Sequence, residues 1–203
     1  MILAATIAVY NANAISAPLV ESYSSMALSL FFPSIVFSYM LYRGNTISGI
    51  ISELGLSRDR ITAKMIIVGI SLFLAVVLFG LALSAFSQLT NIQLPTNVQA
   101  ALAGTPAYFL VFTFLIAPIN EEIFFRGFMV PRLGIIASAI IFALLHLSYI
   151  SVSEFAAALF FGLLAGYVFR RTKSLYPSIV AHAIVNFVTV AALFSMGSFL
   201  VHI

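Results

Sequence analysis

Cysteine is absent from the 203 residues, which excludes disulfides, thiolate nucleophiles, iron–sulfur clusters and cysteine-based zinc sites. Charge is scarce as well: 7% of the residues are Asp, Glu, Lys or Arg, against 63% hydrophobic. Soluble domains carry roughly a quarter charged residues, so this chain cannot cover itself with a water-compatible surface. Its solvent is lipid. Internal repeats, low-complexity tracts and linkers are also missing, and residues 1–203 read as one integral membrane domain.

What the chain has instead is a series of apolar runs, each long enough to cross about 30 Å of hydrocarbon as a helix. The expected spans are residues 1–20, 24–42, 64–86, 105–130, 133–150, 154–170 and 174–193, with 194–203 a short tail or part of an eighth helix. The fold class is therefore all-α, a polytopic transmembrane bundle of about seven to eight spans. The first run lacks a basic start and is followed by further spans, so it reads as a transmembrane helix rather than a cleaved signal.

The net charge of +3 does not point to nucleic acid, because the nine Lys and Arg fall in three separate places. These are Arg43, Arg58, Arg60 and Lys64; Arg126 and Arg132; and Arg170, Arg171 and Lys173. The alternate loops, around Glu21, residues 87–104 and Glu154, contain neither Lys nor Arg. Cytoplasmic loops are enriched in these residues, so the N-terminus and the basic loops are expected in the cytoplasm and, after seven spans, the C-terminus outside. Small size and the lack of an organelle signal point to a prokaryotic plasma membrane. Residues 44–60 (GNTISGIISELGLSRDR) are amphipathic and read as a segment lying along the cytoplasmic surface.

Ionisable side chains at membrane depth are costly, and each is a functional hypothesis by default. Here they are Glu121, Glu122 and Arg126 in FLIAPINEEIFFRGFMVP, His146 in SAIIFALLHLSYI, and His182 with Asn186 in YPSIVAHAIVNFV. At about 1.5 Å per helical residue, all three segments place these groups in one layer near mid-membrane. Glu122 and Arg126 are four apart and can pair, which makes burying both tolerable. Glu121 points about 100° away and is left to meet something else. His182 and Asn186 also share a helix face.

A buried carboxylate beside one or two imidazoles can hold and deprotonate a water. An amide and a second imidazole can donate to an oxyanion, so the constellation fits hydrolysis of a carbonyl. Other features read more simply: Gly162 and Gly166 permit close helix packing, Arg170, Arg171 and Lys173 are interfacial anchors, and His202 is a tail residue.

Taken in order, Glu121-Glu122-x-x-x-Arg126, Phe142-x-x-x-His146 and His182-x-x-x-Asn186 resemble the motif set of the CPBP family. That family comprises CAAX prenyl proteases of the Rce type and bacteriocin-processing or Abi-type membrane proteins. The connecting text SAIIFALLH and FFGLLAGYVFRRTKSLYPSIVAHAIVN is similar too, and the likeness covers a core of about residues 105–190. The resemblance implies a glutamate-dependent intramembrane endopeptidase with a cavity open to the cytoplasm, acting on a peptide or lipidated protein in the bilayer and needing no cofactor. It implies that Glu121 activates water with help from His146, that Glu122, Arg126 and Phe142 support the site, and that His182 and Asn186 stabilise the oxyanion.

Three other readings use the same residues. His146, His182 and Glu121 make the N/N/O donor set of a catalytic zinc site, although HExxH is lacking. A non-catalytic immunity or scaffold protein would bind a partner through the same cavity. A small transporter would use the buried Glu and His as a proton relay, but no repeat of the kind common in transporters is visible.

Overall fold

The computed structural model describes residues 17–92, 94, 105–149 and 151–195. All regular structure among them is helical: α1 Ala17–Tyr42, α2 Ile47–Glu53, α3 Ala63–Thr90, α4 Ala107–Leu115, α5 Ala117–Glu122, a π-helical stretch Ile123–Met129, α6 Val130–Leu145, α7 Val152–Thr172 and α8 Tyr176–Ser195. Side-chain caps set several starts. The Thr46 hydroxyl accepts from Gly49 N, Thr62 from Met65 N and Ser151 from Glu154 N, each satisfying an otherwise orphaned first-turn N–H. Asn91 and Lys173, at φ of 56° and 55°, end α3 and α7 in the left-handed region.

Ser22–Tyr42, Ala63–Thr90, Ala107–Leu145 and Val152–Thr172 are long and apolar enough to cross a membrane, and Tyr176–Ala192 is a shorter apolar helix. Large apolar side chains such as Phe31, Leu78 and Ile136 are exposed on the outside of the bundle, as lipid contact requires. The 39-residue segment Ala107–Leu145 is not one rod. Gly134 breaks it at φ 85° and ψ 170°, the Ser138 hydroxyl donates to the Phe125 carbonyl at 2.7 Å, and the Phe125 and Phe142 rings lie 5.1 Å apart. A straight helix would separate residues 125 and 142 by about 25 Å. The expected spans 105–130 and 133–150 are thus the two arms of one hairpin. Most of the expected spans 1–20 and 194–203 lies outside the described residues, so a total of seven to eight spans goes beyond what those residues contain.

Neighbouring helices pack on the bundle by small-residue contact. A Cβ on Gly162 would sit 2.9 Å from the Ala139 Cβ, and one on Gly166 2.9 Å from the Ile135 Cγ2, so the GxxxG pair brings α7 against α6. Gly69 of α3 lies equally close to α8, 2.8 Å from the Pro177 carbonyl oxygen by the same measure.

Members of all three basic groups of the sequence meet at one end of the bundle, Arg126 alone lying deeper. There Leu175 N donates to the Gly55 carbonyl at 3.1 Å, the Tyr176 hydroxyl to the Leu56 carbonyl at 2.8 Å, Arg132 pairs with Glu53 at 3.0 Å, and Arg60 donates to the Lys173 carbonyl. Segment 44–60 is accordingly folded onto the bundle: Ile50 and Leu54 are fully buried in a cluster with Val36, Met40, Val130, Phe169 and Leu175, while Ile47 and Ile51 remain exposed.

Candidate active site

Glu122 anchors the site from the last turn of α5. Its Oε1 accepts from Arg126 Nη1 at 2.8 Å and from His182 Nδ1 at 3.0 Å, and Glu122 and Arg126 are 0% and 1% exposed. The sequence spacing called for this ion pair, and the helix beyond Glu122 supplies it in π-helical form. Such bulges mark functional positions in many helices because the wider turn re-aims side chains. The Arg126 guanidinium lies between two rings, its Cζ 4.2 Å from the Phe142 centroid and 4.8 Å from that of Phe161. Cation–π contact of this kind is strongest when the cation is desolvated.

His182 joins the two carboxylates. A carboxylate can only accept, so Nδ1 donates to Glu122 and fixes the ring, which leaves Nε2 directed toward Glu121. The Glu121 Oε2 lies 3.9 Å from that nitrogen, too far for a direct hydrogen bond. Glu121 is 21% exposed where Glu122 is 0%, and this difference separates a carboxylate held by partners from one presented to a cavity. The Phe142 ring, 1% exposed, stacks at an angle on His146 at 4.6 Å and edge-on to His182 at 5.8 Å, so one aromatic residue spaces Arg126 and both imidazoles.

A cavity of about 180 Å³ is lined by Glu121, Phe142, His146, His182 and Asn186. The structure therefore collects the layer that the sequence placed at mid-membrane. His146, expected to help Glu121 activate water, lines the same cavity with its Nδ1 donating to the Phe142 carbonyl at 2.9 Å, and His182 is the ion-pair neighbour of Glu121. One detail differs from expectation. Asn186 was to point its amide with His182 toward one spot, yet its Nδ2 donates to the Thr113 carbonyl at 2.9 Å. One amide hydrogen thus ties α8 to α4, and a second remains on the same nitrogen.

Among the described residues no three His, Asp or Glu side chains form a group placed to hold a metal ion.

Sequence reasoning missed Phe161, the second ring against Arg126, which sits in a Phe-rich helix with nothing to single it out. It also missed Glu154, which lines the cavity from the first turn of α7. Asn120, buried and donating to the Ser29 hydroxyl at 3.2 Å, braces α5 against α1. Its position next to the Glu pair was the available signal.

Residues 103–188 match the family described as type II CAAX prenyl endopeptidase Rce1-like. The matched stretch contains all three motifs and every residue of the Glu122, Arg126 and His182 network. It implies protease activity of the CAAX type, exercised in a membrane on a peptide or prenylated protein. No curated protein and no solved structure matches the chain.

Proposed function

With residues 103–188 identified as Rce1-like, we propose that this chain is an intramembrane endopeptidase in which Glu121 is the general base for water. The observation that carries this is the contrast between the two adjacent carboxylates. Glu122 is occupied by Arg126 and His182, whereas Glu121 faces the cavity with the His182 Nε2 3.9 Å away. A water lying beside both groups gives up a proton to Glu121 as its oxygen attacks the scissile carbonyl carbon. The oxyanion that forms is stabilised by His182 and the second Asn186 amide hydrogen, while His146, whose Nδ1–H is held by the Phe142 carbonyl, presents an accepting Nε2 that helps Glu121 hold the water. Collapse of the tetrahedral intermediate breaks the C–N bond, and the proton held by Glu121 passes to the leaving amine.

Glu122 and Arg126 act as positioning residues. They hold His182 and balance its charge in a low-dielectric layer, where each interaction is stronger than in water. Catalysis in this reading is independent of metal. The orientation that goes with it has the basic end in the cytoplasm of a prokaryotic plasma membrane.

The test is cleavage of a lipidated CAAX-type reporter peptide by the purified protein in liposomes. Wild type is compared with Glu121→Gln, each with and without a strong chelator. Activity that survives chelation and disappears in Glu121→Gln is expected. Loss of wild-type activity to the chelator would transfer the case to a zinc enzyme, and full activity in Glu121→Gln would remove Glu121 from the reaction. A biological role that persists in Glu121→Gln without any cleavage would favour an immunity or scaffold protein.

A further inference from the structure

A hydroxyl inside a membrane helix commonly satisfies itself by donating to the carbonyl one turn back. Ser34, Ser71, Thr113 and Thr189 do so here, at 2.9 to 3.0 Å from the carbonyls of Leu30, Ile67, Phe109 and Val185. Ser29 of α1 does not. Its Oγ accepts from the Asn120 Nδ2 at 3.2 Å, and among the described residues its own hydrogen has no acceptor. Ser29 is 5% exposed and lines the cavity that holds Glu121, His182 and Asn186. A buried donor is thus left over at the cavity wall, and an unused donor in a low-dielectric site is costly until something accepts from it.

Its height is that of the catalytic layer. α1 runs alongside the segment that carries Glu121: Ser29 meets Asn120, and three residues on, the Phe32 ring stacks on Phe124 at 4.7 Å. Asn120 directly precedes Glu121 in the chain, so the bond that takes up the Ser29 oxygen also fixes the hydroxyl at the level of the general base. A hydroxyl that accepts a hydrogen bond becomes a stronger donor through its own hydrogen. His182 and Asn186, which serve the oxyanion in the mechanism proposed, both come from α8. α1 adds a donor from a different helix, and it lies outside residues 103–188 that carry the family match.

We propose that Ser29, oriented by Asn120, donates a hydrogen bond to a main-chain carbonyl of the substrate flanking the scissile bond. The acceptor follows from the medium. A polypeptide segment at membrane depth is apolar in its side chains, and its carbonyl oxygens are the acceptors it always carries. In an intact helix those oxygens are occupied, so the contact is open only to a chain unwound at the cut. Ser29 thereby favours the extended conformation that exposes the scissile carbonyl to water on Glu121. Because the carbonyl it holds is not the one attacked, the hydrogen bond is equally strong before and in the transition state, and it contributes to binding rather than to the chemical step. This role rests on the endopeptidase reading.

The test reads binding without turnover. A fluorescent, lipidated CAAX-type reporter is titrated against full-length Glu121→Gln in nanodiscs, with Ser29 intact or changed to Ala, Cys or Thr. The titrations are repeated with reporters in which each peptide group flanking the cut is replaced in turn by an (E)-alkene. Ser29→Ala and Ser29→Cys are expected to weaken binding by about 3- to 10-fold, the worth of one hydrogen bond, while Ser29→Thr, which keeps the hydroxyl, binds as Ser29 does. Cys preserves the size of Ser, so a loss shared by Ala and Cys is the loss of the hydroxyl and not of packing. Asn120→Leu should show the same loss, with none added by Ser29→Ala. One alkene reporter should lose that factor with Ser29 intact and nothing further in Ser29→Ala. In the chain with Glu121 restored, KM rises by the same factor and kcat stays. Unchanged binding in Ser29→Ala and Ser29→Cys, alkene losses that add to that of Ser29→Ala at every position, or a defect confined to kcat would overturn the proposal. A reporter bound with the expected pattern but never cut by the wild-type chain would count against the protease and not against Ser29.

Discussion

The two halves of this bundle are built from the same helices and packed by different rules. In the half at the basic end, Val36, Met40, Ile50, Leu54, Val130, Phe169 and Leu175 are buried together, and loops are tied to one another through backbone carbonyls. In the opposite half the described buried cluster is Phe109, Leu110 and Val190, beside a cavity of about 180 Å³. Lipid gives little hydrophobic drive for helices to associate, so close packing and polar ties must hold such a protein together. Concentrating them at one end leaves room for the cavity at the other. Stability and chemistry are thereby divided along the membrane normal, with Glu122, Arg126 and His182 at the boundary.

That division can be broken from either side. The largest effect is expected from Glu121→Gln, which belongs to the cavity half alone. Cleavage of the reporter should fall by at least about 10³-fold with thermal unfolding in detergent unchanged; a lowered melting temperature would mean that Glu121 also holds the fold.

Arg126→Ala lies on the boundary and should do both. It leaves the Glu122 carboxylate buried with one ionic partner fewer, for a destabilisation of about 3–5 kcal/mol, measurable by denaturant titration alongside the rate. Asn186→Ala removes the amide proposed as an oxyanion donor and the tie to Thr113. A drop in kcat of about 10²-fold is expected with KM little changed, and a defect confined to KM would refute the oxyanion role.

Gly55→Ala addresses the packed half alone. Gly55 has φ of +76° and an added Cβ would stand 2.6 Å from the Lys173 carbonyl oxygen, so at least about 1–2 kcal/mol should be lost from the left-handed backbone alone. Activity per folded molecule should be retained. Smallest is Arg132→Ala: its partner Glu53 is 43% exposed, and exposed pairs contribute about 0.2–1 kcal/mol. A larger change would show that this ion pair does more than close the surface.

Much of this arrangement was legible in the sequence because lipid makes charged residues conspicuous. Six polar residues among long apolar runs pointed to one layer, and the i, i+4 spacing of Glu122 and Arg126 gave their pair before any coordinates. The boundary between the expected spans 105–130 and 133–150 likewise falls beside Gly134, where the chain turns. What was not legible depends on tertiary contact. Nothing local announces that Ile123–Met129 widens to a π-helix, or that His182 reaches across 60 residues of sequence to Glu122. Nor could the sequence give the 3.9 Å approach of His182 to Glu121, because helical spacing ranks neighbours on one helix and is silent about partners on another. Glu154 was read only as part of a loop without basic residues, since an acid in the first turn of a helix is commonplace on dipole grounds.

The short sequence distance between Glu122 and Arg126 has a consequence for how such a chain enters its bilayer. Two charges four residues apart can neutralise each other as soon as their segment is helical, before any later segment exists. The hairpin Ala107–Leu145 can therefore partition into lipid without waiting for a partner from elsewhere. His182 arrives two helices later and connects Glu121 to the preformed pair. Synthesis from the N-terminus thus delivers a membrane-competent hairpin first and, with α8, the imidazole that completes the Glu121, Glu122 and Arg126 cluster last.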